Sequence, residues 1–232
     1  MKVLVVGATG GSGRAAVGEL LARGHEVTAF SRHARVLSGA GGHLRAIDGD
    51  ATDPADVDRV VRGQDAVVVT LGISENPLRV RLFGSVDTPM DVRSRGTRAV
   101  ISAMRRHGVR RLVVQTSYGV GETREMLPLG QRLVFRLLLQ PQIADTERQE
   151  REVRESGLDW VLVQPVNLTD HPHPGLPFVS TSGEIRSLKV PRACVGRFLV
   201  RAVEESGYVG RSVALSSPAA RPVAAQRAAP TS

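Results

Sequence analysis

Gly7, Gly10 and Gly13 stand three residues apart in Gly7-Ala8-Thr9-Gly10-Gly11-Ser12-Gly13, directly after the apolar run 2–6. A residue without a Cβ lets the backbone turn tightly and lets another group approach it closely. Gly7 suits the tight turn, Gly10 leaves the backbone open to a bulky anion, and Gly13 lets the following helix pack closely. Gly11 and the hydroxyls of Thr9 and Ser12 lie where a helix begins, and unpaired N–H groups there face phosphate. The chemistry this spacing predicts is capture of a dinucleotide pyrophosphate.

A second site lies one strand further on. Residues 26–30 predict a strand, and Ser31-Arg32-His33-Ala34-Arg35 follows it. An acid in this place serves a ribose 2′-hydroxyl, whereas an arginine accommodates a 2′-phosphate. Arg32 and Arg35, with no acid between them, favour NADP(H) over NAD(H).

These groups need a scaffold, and the chain spells one. Residues 14–23 have helical spacing, with Ala16, Val17, Leu20 and Leu21 on one face and Gly24 as the stop. A third strand is expected at 44–47. Thr52 or Asp53 then caps a helix that starts at Pro54 and runs to Arg62. Residues 65–71 are nearly all apolar, as in a strand buried on both faces of a parallel sheet. A loop with Pro77 and Pro89 leads to a helix from about Asp91 to His107. Strands are expected at 111–117, 159–164 and 212–215, with helices around 145–156 and 193–205. This alternation predicts an α/β protein: a doubly wound parallel sheet, the NAD(P)-binding Rossmann fold, in one domain over residues 1–217. Residues 218–232 are Ala, Pro and Arg without periodicity and are expected to form a disordered tail.

In such sheets ligands lie beyond the carboxyl ends of the strands. Asp50 and Ala51 are therefore expected beside the adenine, and Leu71 and Gly72 beside a ribose. Thr116, Ser117 and Tyr118, with Pro165, Val166 and Asn167, are expected to face the nicotinamide and the substrate. Each strand end also fits plain turn chemistry.

Composition narrows the class. The net charge is +8, and only Lys2 and Lys189 among 31 basic residues are lysines. No basic tract is interleaved with aromatics, so no nucleic-acid partner is expected. No apolar run approaches the roughly 20 residues that span a bilayer, and no signal peptide is apparent. A cytoplasmic protein acting on a small molecule is the expectation, with the oligomeric state open. Cys194 is the only cysteine, which excludes an internal disulfide. His171 and His173 lack a further ligand set, so they are read as loop residues and no metal is expected.

Several stretches resemble a known family. GATGGSG at 7–13, GQDAVVV at 63–69, GTRAVISAMRRHG at 96–108, Gln115-Thr116-Ser117 and VRESGL at 153–158 are similar to the atypical short-chain dehydrogenase/reductases. Within these the chain resembles the NAD(P)H-binding, NmrA-like group that includes the biliverdin reductase B, or flavin reductase, type. The resemblance runs over residues 1–217. It implies bound NADPH with Arg32 on the 2′-phosphate and Ser117 near the nicotinamide. It also implies reduction of planar, conjugated acceptors such as flavins or tetrapyrroles. The chain departs from the biliverdin reductase B pattern at Pro165-Val166-Asn167, where that pattern has Pro-Pro-His, and in a longer stretch at 119–144.

The proton chemistry is restricted. The tyrosine-dependent members of the superfamily use a tyrosine with a lysine four residues on. Here Glu122 follows Tyr118 at that distance and Ser212 follows Tyr208, so the relay is absent. An unassisted phenol ionises near ~10 and is a poor acid at neutral pH. Asn167 hydrogen-bonds but is no acid. Ser117, Tyr118 and Asn167 are thus the candidate catalytic residues, and the acceptor is expected to be one that delocalises the arriving charge. Residues 131–139 form a very apolar helical stretch, read either as a pocket roof or as core packing. The expected function is an NADPH-dependent oxidoreductase acting on a flavin, quinone or aromatic, polyketide-type compound. The alternative is a non-catalytic NADP(H)-binding regulator of the NmrA-like type. An isomerase or epimerase is disfavoured by the missing Tyr–Lys pair and the short C-terminal region.

Overall fold

A computed structural model describes residues 1–39, 42–72, 88–126 and 140–218. At its centre β1 (Lys2–Val6) and β4 (Ala66–Val69) lie side by side, parallel, with Val3 opposite Ala66 and Val6 opposite Val69. Val3, Val5, Ala66 and Val68 pack to one face of the sheet, and Leu4, Val6, Val67 and Val69 to the other. Both faces are covered, which is why neither strand alternates in polarity. The register ends where β1 ends, so β4 stops at Val69; the Thr70 amide makes a last bond to the Val6 carbonyl at 2.9 Å, and Leu71 lies beyond the ladder.

Around this pair run β2 (Glu26–Ser31), β3 (Leu44–Asp48), β5 (Arg111–Gln115), β6 (Asp159–Pro165) and β10 (Arg211–Ser216). The sheet order is β3-β2-β1-β4-β5-β6-β10-β8, where β8 (Phe178–Ser180) pairs antiparallel with β10 and every other pair is parallel. The strand order reverses between β1 and β4, which opens a crevice at their carboxyl ends. The expected doubly wound α/β sheet is therefore present.

Helices close both faces. α1 (Gly11–Ala22) and α5 (Arg192–Glu204) bring Ala16, Leu20, Phe198 and Leu199 onto the first core. α2 (Pro54–Val61), α3 (Val92–His107) and α4 (Gln140–Arg154) bring Val57, Val100, Met104 and Val153 onto the second. With few aromatics, valine and leucine fill these cores, and Phe30 and Phe198 are the largest fully buried side chains.

The helix ends have local causes. Asp53 accepts the Ala55 amide at 2.8 Å and Pro54 opens α2 behind it, so of the two expected caps Asp53 serves. α1 begins at Gly11, three residues before its apolar periodicity, because residues 11–13 carry no apolar side chain to signal it. α3 ends at Gly108 with φ +70°, a left-handed cap suited to glycine.

Three short strands were not expected. They are β8 and the parallel pair β7 (Asn167–Thr169) and β9 (Lys189–Pro191), a separate ribbon with Asn167 opposite Lys189. Each is three residues long, too short for an alternating pattern. The expected roof at 131–139, Pro77, and residues 219–232 of the expected tail lie outside the described residues. No helix among the described residues is long and apolar enough to cross a membrane.

Candidate active site

The glycine turn sits at the crevice. Gly7 has φ +84°, and its amide donates to the Phe30 carbonyl at 2.9 Å. A Cβ on Gly13 would lie 2.3 Å from the Gly7 carbonyl oxygen, so only glycine lets α1 seat on the turn. Thr70, the residue after β4, holds the arrangement. Its hydroxyl lies 3.1 Å from the Val6 carbonyl and 3.2 Å from that of Gly7, sharing one proton between them. Nothing local in the sequence marks Thr70 for this task, because the contact joins residues more than sixty positions apart.

Gly10 differs from its neighbours. It has ordinary extended angles, φ −67° and ψ 160°, and makes no side-chain cap to α1. A Cβ on it would find one group within 4 Å, the Gly7 carbonyl at 3.4 Å. The first turn of α1 thus presents N–H groups without intrahelical partners toward an open side. This cradle fits a pyrophosphate on both geometry and charge. Thr9 is less available, since its hydroxyl lies 3.2 Å from that of Ser31 and links the turn to the end of β2. Ser12 is buried.

Beyond the end of β2 the two arginines differ. Arg32 is exposed and donates to the Thr88 hydroxyl at 3.0 Å. Arg35 meets Asp48, which accepts its backbone amide at 3.0 Å and lies 3.3 Å from its guanidinium. Asp48 ends β3 directly opposite Ser31, so the neighbouring strand places an acid here although the end of β2 carries none. Asp50 closes its own turn, accepting the Thr52 amide at 2.8 Å and hydroxyl at 2.9 Å. Ala51 and Leu71 pack on α3 at Gly96, where a Cβ would sit 2.4 Å from a Leu71 methyl. Gly72 is exposed, with the Arg93 guanidinium 3.3 Å from its Cβ position. Burial pulls the Arg93 guanidinium below its ordinary pKa, and Asp145 opposes that shift.

The ends of β5 and β6 are zipped together. Thr116 donates its amide to Val163 at 2.8 Å and Tyr118 its amide to Pro165 at 3.0 Å. The side chains then diverge. The Thr116 hydroxyl turns inward to Glu150 at 2.8 Å. Tyr118 is core, its hydroxyl donating to the Gly183 carbonyl at 3.0 Å, and burial pushes its phenol pKa up. Val166 is buried. Ser117 is half-buried, and its hydroxyl makes no hydrogen bond among the described residues. Asn167 is exposed at the start of β7, where its backbone N–H donates to the Leu188 carbonyl at 3.2 Å. Ser117 and Asn167 are therefore polar side chains at this end that no other described residue engages, and the buried Gln115 Oε1 beside them also lacks a partner among the described residues.

His173 caps its own loop, accepting the Gly175 amide at 3.1 Å, and lies 3.4 Å from the buried Cys194 thiol. No cluster of three or more potential metal ligands occurs among the described residues.

A weak acid with a committed proton contributes little to proton transfer. Tyr118→Phe is expected to change kcat by less than about threefold, forfeiting one hydrogen bond of about 0.5–1.5 kcal/mol in stability. Ser117→Ala is expected to lower kcat about tenfold through lost orientation. Steady-state kinetics and thermal melts on both variants check this. A thousandfold loss in Tyr118→Phe with cofactor binding intact would make the phenol a general acid.

Comparison with known proteins adds the following. The NAD(P)H-binding family model matches residues 7–206. A (4-alkanoyl-5-oxo-2,5-dihydrofuran-3-yl)methyl phosphate reductase of Streptomyces griseus is 29% identical over 225 residues, covering 94% of this chain and 68% of that protein. A 2-alkyl-3-oxoalkanoate reductase of Stenotrophomonas maltophilia is 38% identical over 121 residues, which span 52% of this chain and only 34% of that protein. Among solved structures, the anaerobillin reductase ChuY of Escherichia coli O157:H7 superposes with a TM-score of 0.76 at 22% identity, covering 96% of this chain and 100% of that one. A short-chain dehydrogenase/reductase of Veillonella parvula in complex with NADP gives a TM-score of 0.75 at 16% identity, covering 94% of each chain. At these identities the solved structures establish the shared Rossmann fold.

Proposed function

This chain belongs to the NAD(P)H-binding family, and on that premise we propose that it is an NADPH-dependent oxidoreductase. It passes hydride to a conjugated small-molecule acceptor such as a flavin, a quinone or an aromatic, polyketide-type compound. One observation carries the choice of acceptor. Among the described site residues no side chain is a competent proton donor: the Tyr118 phenol is spent on Gly183, Glu122 stands where a relay needs lysine, and Asn167 is an amide. An acceptor that spreads the arriving charge needs little help from an acid, whereas a simple ketone needs more.

The bound cofactor supplies the hydride. The chain's own residues bind and orient. The α1 amides from Gly11 to Gly13 and the open backbone at Gly10 hold the pyrophosphate. Arg32 takes the 2′-phosphate, with Arg35 beside it and Asp48 moderating its charge. Asp50, Ala51, Leu71 and Gly72 flank the adenosine and the ribose. Thr116, Pro165 and Val166 form the wall beside the nicotinamide, and Ser117 and Asn167 orient the acceptor above it. Holding the two reactants in register is the larger part of the catalysis. Two relatives named as reductases of small oxo compounds support the reaction class.

The test is oxidation of NADPH by the purified protein against a panel of flavins, quinones and simple ketones. Turnover with the conjugated acceptors and not with the ketones is expected. Turnover confined to 3-oxo acids would move the reading to carbonyl reduction. Tight NADPH binding without turnover of any acceptor would make the chain a non-catalytic NADP(H)-binding regulator.

Cofactor choice has its own test. Arg32→Ala is expected to weaken NADPH binding roughly 10- to 150-fold, the value of one charge-assisted contact. NADH binding should change little. Equal affinity of the parent protein for NADH and NADPH would refute the assignment.

A further inference from the structure

Gly196 on α5 packs directly on α1, where a Cβ would lie 2.7 Å from the Ala15 carbonyl carbon. The two helices therefore start side by side at the carboxyl end of the sheet. α5 begins at Arg192, and the side chain of Arg192 lies across the first residue of α1. Its Cδ and Nε are 2.5 and 2.6 Å from the position a Cβ on Gly11 would take. The absence of a side chain at Gly11 leaves room for this guanidinium stem over the start of α1.

The electrostatics of this corner are unbalanced. Neither helix has an acid in its first turn, and neither has a side-chain cap. Helix N-termini carry partial positive charge and favour anions. A cation laid across one N-terminus, and forming the first residue of another, is unfavourable on its own. The anion that meets it here is Asp170, whose carboxylate accepts from Arg192 at 2.6 Å. The side chain of Asp170 is 85% exposed, while that of Arg192 is only 30% exposed. The cation lies half-buried against α1, and its partner is a carboxylate at the surface.

We propose that Arg192 is a pyrophosphate-binding residue, and that Asp170 holds its guanidinium in the dinucleotide's absence and yields it when the dinucleotide binds. The proposal rests on the reading of the α1 N-terminus as the phosphate site. Two helix N-termini and a guanidinium form one anion-selective corner, and a guanidinium fork suits adjacent phosphate oxygens. Asp170 then acts as a competitor built into the chain, because its carboxylate and the phosphate draw on the same guanidinium.

The experiment measures binding by calorimetry, with NADPH and with adenosine 2′-monophosphate, which has no pyrophosphate. Arg192→Met keeps the stem on Gly11 and removes the charge. It is expected to weaken NADPH about ten- to a hundredfold and leave adenosine 2′-monophosphate unchanged, with Arg192→Lys in between. Asp170→Asn is expected to tighten NADPH severalfold, an opposite sign that misfolding does not produce. Gly10→Val is the control for the underlying site. If it abolishes NADPH binding while Arg192→Met does not alter it, the role of Arg192 is refuted and the phosphate site stands. If neither variant alters NADPH binding, the phosphate site itself is refuted. Equal losses for both ligands in Arg192→Met would show a general structural effect and would also overturn the proposal.

Discussion

Gly10→Val is expected to abolish measurable NADPH binding while the protein still folds. The angles of Gly10, φ −67° and ψ 160°, lie in a region that any residue adopts. Its Cβ position meets only the Gly7 carbonyl, at 3.4 Å. Valine is a poor helix cap compared with glycine, so the folding cost is about 1 kcal/mol, or roughly 2–4 °C in melting temperature for a chain of this size. The isopropyl group would occupy the open side of the turn, where a phosphate must approach the backbone. Gly13→Val fails for a different reason. Its Cβ would lie 2.3 Å from the Gly7 carbonyl oxygen and 2.9 Å from the Ala8 Cα, so α1 must lift off the turn. That variant is expected to lose about 1–3 kcal/mol of stability or more, as overpacked sites do. Melts and titrations on the two variants separate blocking from unseating. Unchanged NADPH affinity in a folded Gly10→Val protein would place the dinucleotide elsewhere.

The two glycines also mark what the sequence could reveal. Their spacing, the apolar strand before them and the helix after them all lie within thirty residues, and local physics ties each to the next. Strand β4 was readable for a similar reason, since four consecutive buried residues leave few alternatives. Groups that act on the turn from a distance were not readable. Thr70 and Arg192 reach it across the sheet and across the helix pair, and Arg192 is one arginine among many in this chain. Gly196 was the available signal, because a glycine inside a helix needs a packing reason. Strand alternation is also lost at a strand end. Ser117 and Tyr118 are adjacent in the chain, yet one is half-buried with a hydroxyl that no other described residue engages and the other points into the core toward Gly183. The ribbon of β7 and β9 joins Asn167 to Lys189 over a stretch whose prolines and histidines read only as loop.

A second large effect is expected from Glu150, a residue that sequence reasoning passed over as one acid on a charged helix. Its carboxylate is fully buried. One oxygen accepts from the Thr116 hydroxyl and the Gln164 amide, both at 2.8 Å, and the other from Arg154 at 3.1 Å. Arg154 in turn donates to the Ser212 hydroxyl at 3.1 Å. The backbone at Gly121, φ +57°, presses so close that a Cβ there would lie 2.5 Å from the carboxylate. One buried charge therefore ties α4 to β5, β6 and β10, and to the turn that follows Ser117. Glu150→Ala would leave the Thr116 hydroxyl and the Gln164 amide without an acceptor in the core, and Arg154 without its buried partner. Breaking a buried pair from one side typically costs about 3–5 kcal/mol, which for a chain of this size is roughly 6–20 °C in melting temperature. Glu150→Gln retains an acceptor oxygen for Thr116 and is expected to cost less. The functional signature should be selective. Thr116 precedes Ser117, so kcat is expected to fall, while NADPH affinity stays near the parent value because the glycine turn belongs to α1 and β1. Thermal melts, NADPH titration and steady-state kinetics on the two variants check all three points. If Glu150→Ala melts with the parent, the network contributes nothing to the fold. If it loses NADPH affinity and kcat together, the damage is global and the anchoring of Ser117 by this carboxylate is wrong.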